Sequence, residues 1–280
     1  VNKGNCYREL RDFPAAETAY KRAFELDNSL IETQFNLGVI YMEKSRFTDA
    51  IQCFSKTITT DLYGIQSLPH LIGATQKICD WTYTSTLKQL AIDTIKKRGF
   101  TQCPPFNLIS ILDDPQLIRL ANEQYTETYI KPPKVSPQKP ASGGEKLKLA
   151  YFSADIHDHA TGYLIAELFE LHNCEFFDVT LLSYGPDAKN STIRNRIQNS
   201  NINFIDVSLW SDPKIIDFIK AERIQILVDL KGYTSGCRPQ VMAARPAPIQ
   251  IQYLGYPSTM GAEFIDYFIA DDVTAPSGSE

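Results

Sequence analysis

The sequence predicts an α + α/β chain in which 34-residue helical repeats are followed by a doubly wound parallel sheet. Three observations predict it. The first 62 residues match themselves at an offset of 34. A proline-rich joint occupies residues 131–146. Beyond Leu147, short apolar runs alternate with amphipathic stretches of helical period.

At the offset of 34, Gly4 falls on Gly38, Tyr7 on Tyr41, Phe13 on Phe47, Ala16 on Ala50, Tyr20 on Phe54 and Asp27 on Asp61. That is the length of the tetratricopeptide repeat, a pair of antiparallel helices. Small residues such as Gly38 and Ala50 suit close helix contacts, and Tyr41, Phe47 and Phe54 suit the space between helices. The register of Gly4 is that of a first repeat cut inside its first helix, with further repeats expected upstream. Residues 63–130 read as a helical connecting region without a clean 34-residue repeat. Within it, Leu87 to Lys97 predicts a helix with Leu87, Leu90, Ala91 and Ile95 near one face. Asp114 to Tyr125 predicts another, and Pro104-Pro105 breaks the chain between them. The joint, KPPKVSPQKPASGGEK, has the composition of a linker.

Residues 147–280 then form one α/β domain. Strands are predicted at Leu147 to Ser153, Phe177 to Ser183, Ile202 to Val207, Ile224 to Leu230, Ile249 to Leu254 and Tyr267 to Ala270. Tyr163 to Leu171 carries a helical stripe of Leu164, Ile165, Leu168 and Phe169. Ser211-Asp212-Pro213 opens a further helix, with Ile215, Ile216 and Ile219 on its buried face.

Composition narrows the function. Hydrophobic residues make up 43% of the 280 positions and charged residues 22%, which excludes wholesale disorder. No apolar run reaches membrane-spanning length, so no membrane partner is expected. Twenty-eight basic residues against 33 acidic ones give a net charge of -5, which disfavours a nucleic-acid partner. Cys6, Cys53, Cys79, Cys103, Cys174 and Cys237 lie far apart without a CxxC pair, against a zinc site or a disulfide framework. No secretory leader is read at the N-terminus.

In open α/β sheets ligands bind at the carboxyl ends of the strands. That rule selects four loops expected to share one rim: residues 154–162, 231–236, 255–259 and 271–272. None matches GxGxxG or GxxxxGK[ST], so a standard dinucleotide or P-loop site is unsupported. Spacing leaves His157 and His159 three readings: a metal pair lacking a third ligand, a catalytic base, or hydrogen-bonded loop histidines. Asp229 reads as a site carboxylate or a turn cap, and Lys231 as an anion contact or a solvated lysine. Cys237 reads as a nucleophile or a buried thiol, and Asp217 as a helix-surface residue.

Taken with the repeats and the joint, SADIHDHATGYL, ILVDLKGYTSG and RPAPIQIQYLGYPSTMGAEFIDYFIAD resemble the protein O-GlcNAc transferases and the related SPINDLY-type proteins. Cys79-Asp80-Trp81 fits the same resemblance, which covers almost the whole chain. It implies a GT-B glycosyltransferase, of which residues 147–280 supply the Rossmann-like N-terminal lobe and the second lobe is absent. A family motif of the form H-P-T-G/S assigns His159 as the catalytic base, with Ala160 departing from the usual proline. The resemblance implies substrate binding around Thr161, Gly162, Tyr233, Thr234, Gly255, Tyr256 and Pro257. The implied reaction is inverting transfer of N-acetylglucosamine from UDP-GlcNAc to protein Ser or Thr hydroxyls, with no metal or cofactor beyond the donor. Acceptor proteins are expected on the repeat surface and the location is expected to be cytoplasmic. Transfer of fucose in the SPINDLY manner, or a repeat scaffold without activity, are the alternatives. The 280 residues alone are expected not to transfer sugar, since half of the cleft is missing.

Overall fold

A computed structural model describes residues 1–60, 63–97, 105–130, 146–276 and 278. The chain divides into two compact units, Val1–Thr128 and Tyr129–Glu280. The proline-rich joint, apart from Lys146, lies outside the described residues, as do Asp61, Cys103 and Pro104.

The first unit is helical: α1 (Asn2–Glu9), α2 (Phe13–Leu26), α3 (Ile31–Glu43), α4 (Phe47–Thr57), α5 (Gly64–Lys77), α6 (Thr84–Lys96), a 3-10 turn at Pro105–Leu108, and α7 (Pro115–Tyr129), whose last residue lies in the second unit. The offset of 34 has a direct steric cause. A Cβ on Gly4 would lie 2.5 Å from the Tyr20 ring, and one on Gly38 would lie 2.6 Å from the Phe54 ring. These are equivalent positions, where an aromatic side chain of the second helix packs onto the backbone of the first. One core, from Ala16 to Ala121, runs through the repeats and the helices after them.

The backbone repeats further than the residues do. Arg11, Ser45 and Cys79 all take left-handed φ, at 58°, 55° and 55°. The residue after each closes the same 6→1 bond, Asp12 N to Tyr7 O, Arg46 N to Tyr41 O and Asp80 N to Thr75 O. The α1–α2, α3–α4 and α5–α6 turns are thus one Schellman closure used three times, 34 residues apart. The region after residue 62 therefore continues the repeat geometry, where the residues had shown no clean repeat. The helix expected from Leu87 starts at Thr84, and the one expected to end at Tyr125 runs to Tyr129. Leu90 is exposed; Leu87, Ala91 and Ile95, spaced by four, form the buried stripe of α6.

The second unit is a six-stranded parallel sheet: β1 (Leu147–Ser153), β2 (Phe177–Ser183), β3 (Asn203–Asp206), β4 (Ile226–Asp229), β5 (Ile249–Tyr253) and β6 (Tyr267–Ile269). Its order is β3-β2-β1-β4-β5-β6, the doubly wound order that reverses between β1 and β4. The helices are α8 (Ala160–Leu171), α9 (Thr192–Gln198), α10 (Asp212–Ala221) and α11 (Pro239–Ala243). Leu149 and Tyr151 of β1 join Ile165 and Phe169 of α8 in one core, while Ala150 and Phe152 are buried on the opposite face. Burial on both faces is why β1 reads as a continuous apolar run. Two expectations on the helices change. Helix α8 begins at Ala160, three residues before Tyr163, and Leu164 is exposed while Ile165 and Phe169 carry its buried face.

Candidate active site

The switch point between β1 and β4 brings the loop after β1 against the loop after β4. At the end of β1, the Ser153 hydroxyl accepts a hydrogen bond from Asp155 N at 3.0 Å. The Asp155 carboxylate then meets Lys231 Nζ at 2.7 and 2.8 Å. Both side chains are buried, so the expectation of a solvated Lys231 is overturned: the lysine ties the two loops together. At the end of β4, Asp229 accepts Lys231 N and Gly232 N, each at 2.9 Å. It is a turn cap. Burial pushes its carboxyl up to about 6 despite those donors.

His159 is the N-cap of α8, extended at φ -137° and ψ 153°, and its Nδ1 accepts Thr161 N at 3.2 Å. The same Nδ1 lies 3.9 Å from Asp155 Oδ2. The His159 side chain is 44% exposed, open enough to meet a substrate. His157 is half-buried, with its ring centroid 5.6 Å from that of His159, and burial lowers its affinity for a proton. Among the described residues no three His, Cys, Asp or Glu side chains converge to hold a metal ion, so the metal reading of the histidine pair gains no third ligand.

Helix α9 fixes this loop from the side. Asp158 Oδ1 accepts the Ser191 hydroxyl at 2.9 Å. The buried Arg194 donates to Ile156 O at 3.4 Å, Ser183 Oγ at 3.0 Å and Asp206 Oδ2 at 2.6 Å. One guanidinium therefore joins the ends of β2 and β3 to the loop after β1. Thr161 and Gly162 are buried in the first turn of α8, not in an open loop. A Cβ at Gly162 would lie 2.3 Å from His157 O.

The loops after β4 and β5 form a second packed layer. Tyr233 and Tyr256 are fully buried and meet edge to face at 5.7 Å. Gly255 passes so close to β4 that a Cβ would lie 1.8 Å from Leu230 O. Thr234 is half-buried and its hydroxyl donates to Lys231 O at 2.9 Å, while Pro257 is exposed. Tyr233, Gly255 and Tyr256 thus build the floor of this rim. Cys237 is half-buried and its thiol is pushed up to about 12 by desolvation, which leaves it a poor nucleophile. Asp217 is exposed on α10. Asp271, in the loop after β6, accepts Val273 N and Thr274 N in a local turn, two strands away from β4.

The stretch 245–271 holds itself together through its side chains. Arg245 grips Asp266 at 2.8 and 3.0 Å. The buried Gln250 amide donates to Met242 O and Phe264 O, and the buried Gln252 amide to Tyr256 O and Ser258 O. The alternating glutamines of β5 anchor the loops beside it. The pairing of Asp155 with Lys231 and the Arg194 clamp went unread in the sequence, where only the polarity of their loops signalled a site.

Residues 113–279 match the model of glycosyl transferase family 41. The chain belongs to glycosyl transferase family 41. Residues 1–30 and 31–61 of this family 41 chain each match a tetratricopeptide repeat. The chain is 32% identical over 222 residues to the Arabidopsis thaliana protein named probable UDP-N-acetylglucosamine--peptide N-acetylglucosaminyltransferase SEC, covering 74% of this chain and 22% of that one. It is 31% identical over 217 residues to the Caenorhabditis elegans UDP-N-acetylglucosamine--peptide N-acetylglucosaminyltransferase, covering 72% and 19%. The family 41 chain thus spans about a fifth of the length of these relatives. A solved Thermobaculum terrenum O-GlcNAc transferase mutant shares the fold, with a TM-score of 0.67 at 20% identity over 99% of this chain and 54% of that one. Among the described residues no helix is long and apolar enough to cross a membrane.

Proposed function

We propose that this chain supplies the repeat end and the first lobe of a two-lobed, inverting protein O-GlcNAc transferase. The observation that carries this reading is the exposed His159 at the switch point of a family 41 lobe. The names of the relatives support UDP-GlcNAc as donor and a peptide hydroxyl as acceptor. Their greater length supports a second lobe across the cleft.

In this reading the Ser or Thr oxygen bonds to the anomeric carbon from the face opposite the nucleotide. The bond from that carbon to the diphosphate oxygen breaks, and its electron pair leaves with UDP. His159 takes the hydroxyl proton. The first turn of α8 at Thr161 and Gly162 lies beside the reacting groups. The loops of Tyr233-Thr234 and Gly255-Tyr256-Pro257 form the floor beneath them. The diphosphate charge is met mainly from the second lobe. The transfer calls on no metal or cofactor besides the donor. The repeats present a surface for protein acceptors. The spacing of the cysteines supports a reducing, cytoplasmic setting.

The test takes the longest natural reading frame that carries this chain and incubates its product with UDP-GlcNAc and, separately, with GDP-fucose. Intact-mass analysis of acceptor protein should show added N-acetylhexosamine from the first donor only. Modification from GDP-fucose alone, or from neither donor with the protein folded, overturns the reading.

A further inference from the structure

His159 Nδ1 has two neighbours that make opposite demands. Thr161 N donates to it at 3.2 Å, which needs an unprotonated Nδ1 and puts the proton of the neutral ring on Nε2. Asp155 Oδ2 stands 3.9 Å from the same atom and, as a carboxylate oxygen, accepts only. A histidine that removes a proton with Nε2 must carry its own proton on Nδ1, the arrangement Asp155 offers and Thr161 opposes.

The two sides differ in strength and in freedom to move. Asp155 is buried and held at both oxygens by Lys231 Nζ, itself buried. The His159 ring is 44% exposed at the end of a helix. A small rotation therefore brings the ring to the carboxylate, while the carboxylate stays in place. A bond from N–H to a carboxylate is also stronger than one from a backbone amide to a neutral ring. Asp158, the other acid of this turn, is committed to Ser191 at the start of α9.

We propose that Asp155, fixed by Lys231, is a positioning residue for His159: its Oδ2 accepts the Nδ1 proton and selects the tautomer whose Nε2 lone pair is open. The Thr161 N–H holds the ring in the other tautomer. During transfer the hydroxyl proton passes to Nε2, the Nδ1 proton stays on the ring shared with Asp155, and Asp155 remains ionised. What Nε2 is used for rests on the transferase reading; the tautomer balance does not.

The test is imidazole 15N NMR on the 280-residue chain, at a pH where the ring is neutral, with His159→Gln used to assign its signals among those of the four histidines. The wild-type chain should show a clear Nδ1–H population for His159. In Asp155→Asn that population, relative to Nε2–H, should fall about tenfold, the size expected for one charge-assisted hydrogen bond. The double variant Asp155→Asn/Lys231→Met, which removes both charges of the buried pair, should show the same fall and replaces the single variant if that one unfolds. A wild-type ring found only as Nε2–H, or an unchanged ratio in a folded variant, overturns the proposal. Since no sugar transfer is measured, loss of the transferase reading leaves this result standing, and the reverse holds too.

Discussion

Lys231 Nζ lies between the two carboxylate oxygens of Asp155, 76 residues away in sequence, and joins the loops on either side of the sheet's switch point. Removing one partner leaves a buried charge alone. Lys231→Met should therefore destabilise the chain by about 3–5 kcal/mol, while Asp155→Asn/Lys231→Met should recover most of that loss. Denaturant unfolding of the two single variants and the double variant checks this; additive losses would show that the pair does not couple.

Two glycines of the site, Gly162 and Gly255, face backbone oxygens and have no room to change. Gly162→Ala would place its Cβ 2.3 Å from His157 O, and Gly255→Ala 1.8 Å from Leu230 O. Each should cost about 1–3 kcal/mol or more, because backbone and not a flexible side chain must give way. Gly236 takes φ +75° with nothing within 4 Å, so Gly236→Ala should cost only about 1 kcal/mol, from backbone strain. Thermal melts of the three variants test that ranking.

Ala160 is the first residue of α8 and follows an extended His159. Both conditions suit proline, whose missing N–H is not needed there and whose ring favours an extended residue before it. Ala160→Pro should stabilise the chain by about 0.4–1 kcal/mol by restricting the unfolded chain. A lower melting temperature would show that the first turn of α8 is not free to accept the ring.

Glu17 in the repeats pairs with Lys21, Lys44 and Arg46 at 2.7, 2.7 and 3.0 Å. Burial pushes its carboxyl up, but the hydrogen bonds from Lys21 and Lys44 outweigh that and hold it at about 2. A folded value below the unfolded one stabilises the fold above the ordinary carboxylate range and loses that contribution as pH falls from about 4.5 toward 2. The basic partners are 31–51% exposed, so the contribution is modest, about 1–2 kcal/mol. The stability gap between wild type and Glu17→Gln should be largest near neutral pH and close as the acid limit is approached. A gap independent of pH would contradict the ion-pair account.

The parallel sheet was legible because strands buried on both faces leave uninterrupted apolar runs, as Leu147–Ser153 does. Helices α9 and α11 were not singled out; at 7 and 5 residues they are too short to show a period. The start of α8 was missed because its cap is a histidine, outside the usual Ser, Thr, Asp and Asn. The third repeat turn was hidden because Ile72 and Lys88 stand where Gly38 and Phe54 had marked the second, leaving only backbone geometry in register. At the site, His159 emerged from a family motif, whereas its link to Lys231 through Asp155 depends on two loops meeting in space. No local pattern records such a meeting.

The most direct test of the account is the initial rate of N-acetylglucosamine transfer by the product of the longest natural reading frame, compared with its His159→Ala variant at saturating UDP-GlcNAc. A proton acceptor at the switch point predicts a fall in kcat of about 10²–10⁴-fold with the KM for the donor nearly unchanged. An unchanged kcat in the folded variant would contradict it and remove His159 from the chemistry.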